Sequence, residues 1–116
     1  MSRRRTITVV TGSRAEFGLL DTVIQQHRKL QLRTIVAGLH LTQNTWRDVR
    51  DAGYRIDARV PMQQRGKVGR AADVQALSRG ISGLGNAIDK LKPDVVLVLG
   101  DRIEVLATAC AANVAG

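Results

Sequence analysis

The sequence predicts an α/β protein whose parallel sheet is packed between helices on both faces. Short β-branched runs alternate along the chain with longer stretches of helical spacing. The last short run, at 95–99, has no polar alternation, which is typical of a covered parallel strand. The 116 residues are 44% hydrophobic and 24% charged, so the composition is that of a folded protein and the length fits one domain at most.

The amino-terminal third predicts a strand, a helix and a second strand. Residues 6–11 are a β-branched run that ends before Gly12, which predicts a buried strand. Residues 33–37 predict the second strand, closed by Gly38. Between them, residues 16–30 predict a helix, because side chains of one helix face recur there. These side chains are Leu20, Val23, Ile24, His27 and Leu30.

A shorter helix and a third strand follow. Asn44 or Thr45 can cap a helix that runs through Ala52, and Gly53 suits its left-handed carboxyl-terminal position. Residues 54–62 predict a short strand near a sheet edge, because they alternate weakly and contain a proline. Residues 63–70 are polar and carry two glycines, which predicts a loop.

A continuous apolar stripe predicts the longest helix. Its members repeat at intervals of three and four residues: Val74, Leu77, Ile81, Leu84, Ile88 and Leu91. Glycines at 80, 83 and 85 cost helix stability and indicate a close approach to a neighbouring backbone. Pro93 ends this helix, residues 95–99 form the fourth strand, and a last helix covers 103–115.

This alternation predicts a Rossmann-like, doubly wound sheet with strand order 3-2-1-4. The first and fourth strands are then neighbours, and ligands of such sheets bind where the winding reverses, outside the carboxyl ends of the strands. Two polar turns open there, GSRAE at 12–16 and GDRIE at 100–104. We therefore expect Arg14 and Asp101 to face each other across one crevice.

The first turn predicts an anion site. Arg14 lies at a helix amino terminus, where N–H groups, the helix dipole and a guanidinium suit a phosphate or carboxylate. In a second interpretation, Arg14 only pairs with Glu16 or Glu104. The turn lacks the glycine spacing of a dinucleotide fingerprint or a P-loop. His40 follows the second strand at the same edge, either as a site residue or as a structural histidine.

The second turn carries the candidate acid–base group. Asp101 directly follows an apolar strand and lies beside Arg102, so its proton affinity can be tuned. Asp101 can also cap the last helix, and the two roles can coexist. Glu104 lies in the first helical turn, where the helix dipole favours a carboxylate, so its role in the site or in structure stays open. The single Cys110 and two distant histidines offer neither a disulfide nor metal-ligand spacing.

Three segments together resemble the hydrolysing UDP-N-acetylglucosamine 2-epimerases of sialic- or legionaminic-acid-type sugar synthesis. They are TGSRAEFGLL at 11–20, GLHL at 38–41 and PDVVLVLGDRIE at 93–104. The resemblance implies a GT-B-type fold, with the active site between two Rossmann-like halves. It also implies that residues 1–116 are a partial amino-terminal domain, and that the rest of this domain and the carboxyl-terminal domain lie outside the chain.

The resemblance further implies an activity. The family eliminates UDP from UDP-GlcNAc and hydrates the glycal to N-acetylmannosamine, without nicotinamide or metal. In this chain the resemblance implies that Asp101 is the acid–base group at the sugar and that Arg14 lies against the diphosphate. It also implies that Arg102 and Glu104 hold the site. Because the family's site needs both domains, we expect the isolated 116 residues to be inactive. The candidate substrate-binding residues are Arg14, Glu16, His40, Arg102 and Glu104.

Other interpretations stay open. The same chemistry can act on another UDP-diacetamido sugar, or epimerisation can keep UDP attached. A third possibility is a non-catalytic α/β binding or assembly module.

The formal charge of +8 comes from scattered cations with only 3% aromatic residues, which favours a solvated surface over a nucleic-acid site. We expect a UDP-sugar partner, no cofactor or metal, no membrane span, a cytoplasmic location and a homo-oligomer.

Overall fold

A computed structural model describes residues 5–25 and 31–116 and contains a parallel sheet between two helical layers. In this part of the chain the strand order is β3-β2-β1-β4, so the predicted order 3-2-1-4 is confirmed. The elements are β1 (Thr6–Thr11), α1 (Arg14–Ile24), β2 (Gln31–Ala37), α2 (Leu39–Thr42), α3 (Trp46–Asp51), β3 (Ala58–Val60), α4 (Arg70–Leu91), β4 (Val95–Val98) and α5 (Ile103–Ala115). None of the helices in the described ranges is both long and apolar enough to cross a membrane.

The central strand β1 determines where the turns meet. Val10 of β1 lies opposite Ile35 of β2 on one side and Val98 of β4 on the other. All these pairings are parallel, so the carboxyl ends of the strands share one edge of the sheet. The turns after β1, β2 and β4 therefore open side by side, as the strand order predicts.

Each face of the sheet packs against its own helices. On one face, the buried side chains of α4 and α5 form a core with Val10 and Ile35 from the strands. On the other face, Phe17 of α1 packs with Val36 of β2 and Val49 of α3. Apolar residues of both helical layers therefore pack on the sheet, as is typical of parallel sheets in α/β proteins.

The long helix α4 shows why glycines occur in its stripe. A Cβ on Gly80 would lie 2.5 Å from Cε of Met62 and 3.1 Å from Cβ of Ala107. A Cβ on Gly83 would lie 2.7 Å from Cγ1 of Val60, whereas a Cβ on Gly85 would meet nothing within 4 Å. The predicted close approach is thus present at Gly80 and Gly83, but the neighbours are side chains and not a backbone.

Several sequence predictions need correction. The structure contains a short helix, α2, for which the sequence predicts no element, and α1 begins at Arg14, two residues before the predicted start. Strand β4 lies at the edge of the described sheet, as the order 3-2-1-4 predicts, but Val95 is 45% exposed, so the strand is not covered along its whole length as its apolar sequence predicts. Val74 of the α4 stripe is also exposed. The predicted residues 26–30 of the first helix lie outside the described residues.

Candidate functional site

The candidate site lies at the carboxyl ends of β1 and β4, where the winding of the sheet reverses. Gly12 leads from β1 into α1, and Gly100 leads from β4 towards α5. Gly100 has a φ of +126°, a backbone conformation that glycine adopts without a steric penalty. Arg14 and Asp101 follow these two turns, so their backbones lie at the same edge of the sheet, as expected.

Glu104 forms the buried centre of this edge. Its side chain is 1% exposed, its Oε2 accepts a hydrogen bond from the backbone N–H of Leu39 at 3.2 Å, and its Oε1 lies 3.5 Å from Nε of Arg102. A Cβ on Gly12 would come within 2.6 Å of the Glu104 Cβ, and a Cβ on Gly38 would also collide with this side chain. Glu104 therefore joins the turns after three strands and requires glycine at two of them.

Glu16 is a second buried carboxyl beside the first. It is 8% exposed, and its Oε2 has no hydrogen-bond partner in the described part of the chain. Burial raises the pKa of Glu16, and the Glu104 carboxylate and Asp101 raise it further, against the Gly12 N–H and the Arg102 guanidinium. Glu16 therefore favours its neutral form to a higher pH than an exposed glutamate does.

His40 is buried between two threonine hydroxyls. Its Nε2 lies 2.8 Å from Oγ1 of Thr11, and its Nδ1 lies 2.9 Å from Oγ1 of Thr45. Burial lowers the pKa of His40 to about 4, so the ring is neutral at pH 7. With 0% of its surface exposed and both ring nitrogens occupied, His40 has no free atom for a substrate in this arrangement.

Arg14 is the first residue of α1 and forms an exposed ion pair. Its Nε lies 3.3 Å from Oδ2 of Asp48, and its guanidinium carbon lies 5.9 Å from the centre of the Phe17 ring. The alternative interpretation, in which Arg14 pairs with Glu16 or Glu104, is therefore wrong in this structure, since Arg14 pairs with Asp48. The Arg14 side chain is 55% exposed, so the ion pair leaves it accessible to an anion.

Asp101 is exposed and lines a cavity of about 480 Å³. The cavity lies between the β4–α5 turn, α2 and the β3–α4 loop, and its lining includes three cations, Arg65, Lys67 and Arg102, and a second carboxylate, Asp73 at the start of α4. Asp101 does not cap α5, because Arg102 occupies the capping position and makes no side-chain capping bond. Arg14 does not line this cavity, so the expected facing pair shares an edge but not a pocket.

The sequence of the chain matches a known protein family. Residues 22–116 match the family described as UDP-N-acetylglucosamine 2-epimerase. The chain belongs to this epimerase family. It is 31% identical over 115 residues to a GDP/UDP-N,N'-diacetylbacillosamine 2-epimerase (hydrolyzing) of Campylobacter jejuni, and 32% identical over 114 residues to a UDP-N,N'-diacetylbacillosamine 2-epimerase (hydrolyzing) of Legionella pneumophila. These alignments cover 94% and 93% of this chain, but only 29% and 30% of the relatives.

Solved epimerase structures share the fold. The chain matches a UDP-N-acetylglucosamine 2-epimerase structure with a TM-score of 0.75 and 19% identity over 97% of its length. It also matches the Neisseria meningitidis UDP-GlcNAc 2-epimerase bound to UDP-GlcNAc, with a TM-score of 0.69 and 20% identity over 92% of its length. These matches cover 31% and 29% of the solved chains, so this Rossmann-like unit corresponds to part of the larger epimerase fold, as predicted.

Within this chain, the predicted site residues divide into two groups. Asp101 and Arg102 share the cavity and Arg14 is accessible nearby, whereas Glu16, His40 and Glu104 lie beneath the surface. Residues 5–25 and 31–116 contain no group of three or more His, Cys, Asp or Glu side chains that could hold a metal ion.

Sequence reasoning missed the partners of these residues. Thr11 and Asp48 carried no signal, because a hydroxyl at a strand end and an exposed helical carboxylate are common features. Arg65 and Lys67 could have been recognised, since both cations lie in a polar loop that precedes a long helix.

Proposed function

We propose that this chain forms the amino-terminal part of a hydrolysing nucleotide-sugar 2-epimerase that acts on UDP-GlcNAc. One observation carries the proposal: in a chain of the epimerase family, an exposed carboxylate, Asp101, follows β4 at the switch point of the sheet and lines a cavity together with three cations. Such a position is where open α/β sheets bind ligands. The chain spans between 28% and 30% of the length of the curated relatives that it matches, so the activity belongs to the complete protein.

The proposed reaction has two steps. In the first step, a base removes the C2 proton of the sugar while the C1–O bond breaks, which gives UDP and 2-acetamidoglucal. In the second step, water adds its hydroxyl to C1 and a proton returns to C2 from the opposite face, which gives N-acetylmannosamine. Asp101 is the proposed acid–base group at the sugar, because an exposed carboxylate in a cavity can both accept and return a proton.

The cations of the edge suit a leaving diphosphate. Elimination develops negative charge on the departing UDP, and positive groups that are already in place stabilise this charge. Arg102, Arg65 and Lys67 line the cavity, and the guanidinium of Arg14 is accessible at the adjacent helix terminus. We assign Arg14 to the diphosphate, and we assign Glu16, His40 and Glu104 to holding the turns in place.

A second substrate is supported by the relatives. Those of Campylobacter jejuni and Legionella pneumophila are named for diacetylbacillosamine, and that of Neisseria meningitidis for UDP-N-acetylglucosamine, at 31–32% identity in all three cases. The alternative is therefore the same elimination and hydration on a UDP-diacetamido sugar. A cytoplasmic location and a homo-oligomer remain part of the proposal, and sedimentation at several concentrations tests the oligomer.

The experiment measures product formation by the complete protein. UDP-GlcNAc and its diacetamido analogue are supplied separately, and NMR identifies the sugar released with UDP. We expect N-acetylmannosamine from UDP-GlcNAc, and we expect Asp101→Asn to lower the rate at least about a hundredfold, the scale of lost acid–base catalysis. Asp89→Asn on the exposed surface of α4 is the matched control and should retain the wild-type rate. Normal activity of Asp101→Asn would exclude the assigned role.

A further inference from the structure

The carboxyl of Glu16 packs directly against the turn that carries Asp101. A Cβ built on Gly100 would lie 2.5 Å from Oε1 and 2.8 Å from Cδ of Glu16. The carboxyl therefore occupies the space beside the Gly100 backbone that a side chain would otherwise need. Gly100 is the residue before Asp101, so any movement of this carboxyl acts on the position of the proposed catalytic group.

The charges around Glu16 do not balance when every acid is ionised. Its carboxyl faces Glu104 from α5, Asp101 and Arg102 from the β4–α5 turn, and the N–H of Gly12 from the end of β1. Arg102 also lies 3.5 Å from Oε1 of Glu104, so a single guanidinium serves both buried carboxyls. Two buried carboxylates beside one cation are costly to keep charged, and a proton on one of them removes the excess charge.

Glu16 is largely buried and exposes little surface to a substrate. The residue is 8% exposed, and its Oε2 is both buried and without a hydrogen-bond partner among the described residues. A buried carboxylate oxygen that accepts no hydrogen bond is unfavourable, whereas a protonated carboxyl loses much less on burial. The role expected from the sequence, direct substrate binding, therefore gives way to a role behind the site.

We propose that Glu16 is a positioning residue whose carboxyl packs against Gly100 and holds the turn presenting Asp101. The inference rests on the proposed epimerase function. Glu16 touches neither sugar nor UDP in this role. Its shape matters because it fills the space beside Gly100, and its negative charge is not required.

Two substitutions at Glu16 separate shape from charge. Glu16→Gln keeps the size of the side chain without a negative charge, and Glu16→Ala removes the group that packs against Gly100. In the complete protein, we expect Glu16→Ala to lower kcat at least tenfold with KM changed less than threefold. Glu16→Gln should restore kcat to within threefold of the wild type. A general structural defect would instead reduce the amount of folded protein and leave kcat per folded molecule unchanged.

Two results would overturn the inference. Wild-type kcat in Glu16→Ala would show that the contact with Gly100 does not position Asp101. A Glu16→Gln variant as impaired as Glu16→Ala would show that the site needs the ionised carboxylate. If the wild-type protein releases UDP from neither UDP-sugar, the proposed function itself fails, and a second measurement then tests Glu16 independently of activity.

That second measurement is the pH dependence of unfolding. The pKa of Glu16 is raised in the folded protein, so its contribution to stability is complete below the ordinary value of 4.5 and is lost as pH rises through the raised value. Glu16→Gln avoids this loss. We expect its thermal unfolding midpoint to exceed that of the wild type at pH 7 and the two midpoints to converge near pH 4. An equal difference at both pH values would contradict the raised pKa of Glu16 in the folded protein.

Discussion

Nε2 of His40 lies 2.8 Å from Oγ1 of Thr11, so a buried hydrogen bond joins α2 to the last residue of β1. The other ring nitrogen reaches Thr45, which precedes α3. One neutral imidazole thus connects three consecutive parts of the edge at which the candidate site lies. Protonation would leave both nitrogens as donors in a buried environment, which makes this connection sensitive to acid.

The first prediction concerns this histidine. Because burial lowers the pKa of His40 to about 4, its contribution to stability is complete above pH 6.5 and is lost as pH falls from 6.5 through about 4. At about 1.4 kcal/mol per pH unit, the loss is about 3 kcal/mol at pH 4. Urea unfolding of the wild type and of His40→Gln, each at pH 7 and at pH 4, measures this loss of stability. Glutamine does not titrate, so an equal loss in both proteins would contradict the prediction.

The second prediction compares two glycines of α4. Gly85→Ala adds a methyl group in open space and improves helix propensity, so we expect it to stabilise the protein by about 0.5–1 kcal/mol. Gly80→Ala places a methyl group 2.5 Å from Cε of Met62, and we expect a net destabilisation of about 1–3 kcal/mol from overpacking. Chemical denaturation measures both. Equal gains in the two variants would mean that the contact between α4 and Met62 is loose.

The third prediction concerns Arg14. Its ion pair with Asp48 is half exposed, so Arg14→Ala should change the free energy of unfolding by less than about 1 kcal/mol. If Arg14 binds the diphosphate, the same substitution removes a charge-assisted hydrogen bond, which is worth about 1.5–3 kcal/mol and corresponds to at least a tenfold loss of UDP affinity. Calorimetric titration of the complete protein with UDP measures this loss.

Arg50→Ala is the control, because Arg50 also pairs with an exposed aspartate, Asp51, and lies outside the proposed site. An equal loss of affinity in both variants would indicate a general charge effect.

Local patterns were sufficient for most elements and for the strand order. The run at 6–11 and the α4 stripe have the periodicities of strand and helix, and the structure confirms both. Helix α2 was missed because its four residues span only one turn, too short for any periodicity to develop. The strand order correctly places β4 at the edge, but its apolar run did not indicate that Val95 is exposed in this chain.

The candidate site was predicted in position but not in detail. The strand order alone brings Arg14 and Asp101 to the same edge of the sheet, since parallel strands end together. In the structure, Arg14 pairs with Asp48, whereas Asp101 lines the cavity beside the β3–α4 loop. These two environments depend on Asp48 and on that loop, which are distant from Arg14 and Asp101 in sequence. Side-chain direction at a helix start follows from such tertiary neighbours, and residue type alone does not determine it.

The amino-acid order was enough to establish the layered α/β architecture, the family and the edge where the polar turns meet, because each follows from local periodicity or from motifs in fixed succession. Which charged groups are buried required the folded chain. Arg14 and Glu16 are two residues apart on one helix, yet the arginine is accessible and the glutamate is buried. The physical reason is space: glycine at position 100 makes room for the Glu16 carboxyl, and glycines at 12 and 38 make room for Glu104. Solvation and proton affinity depend on such contacts between distant segments, and these contacts arise only when the strands assemble.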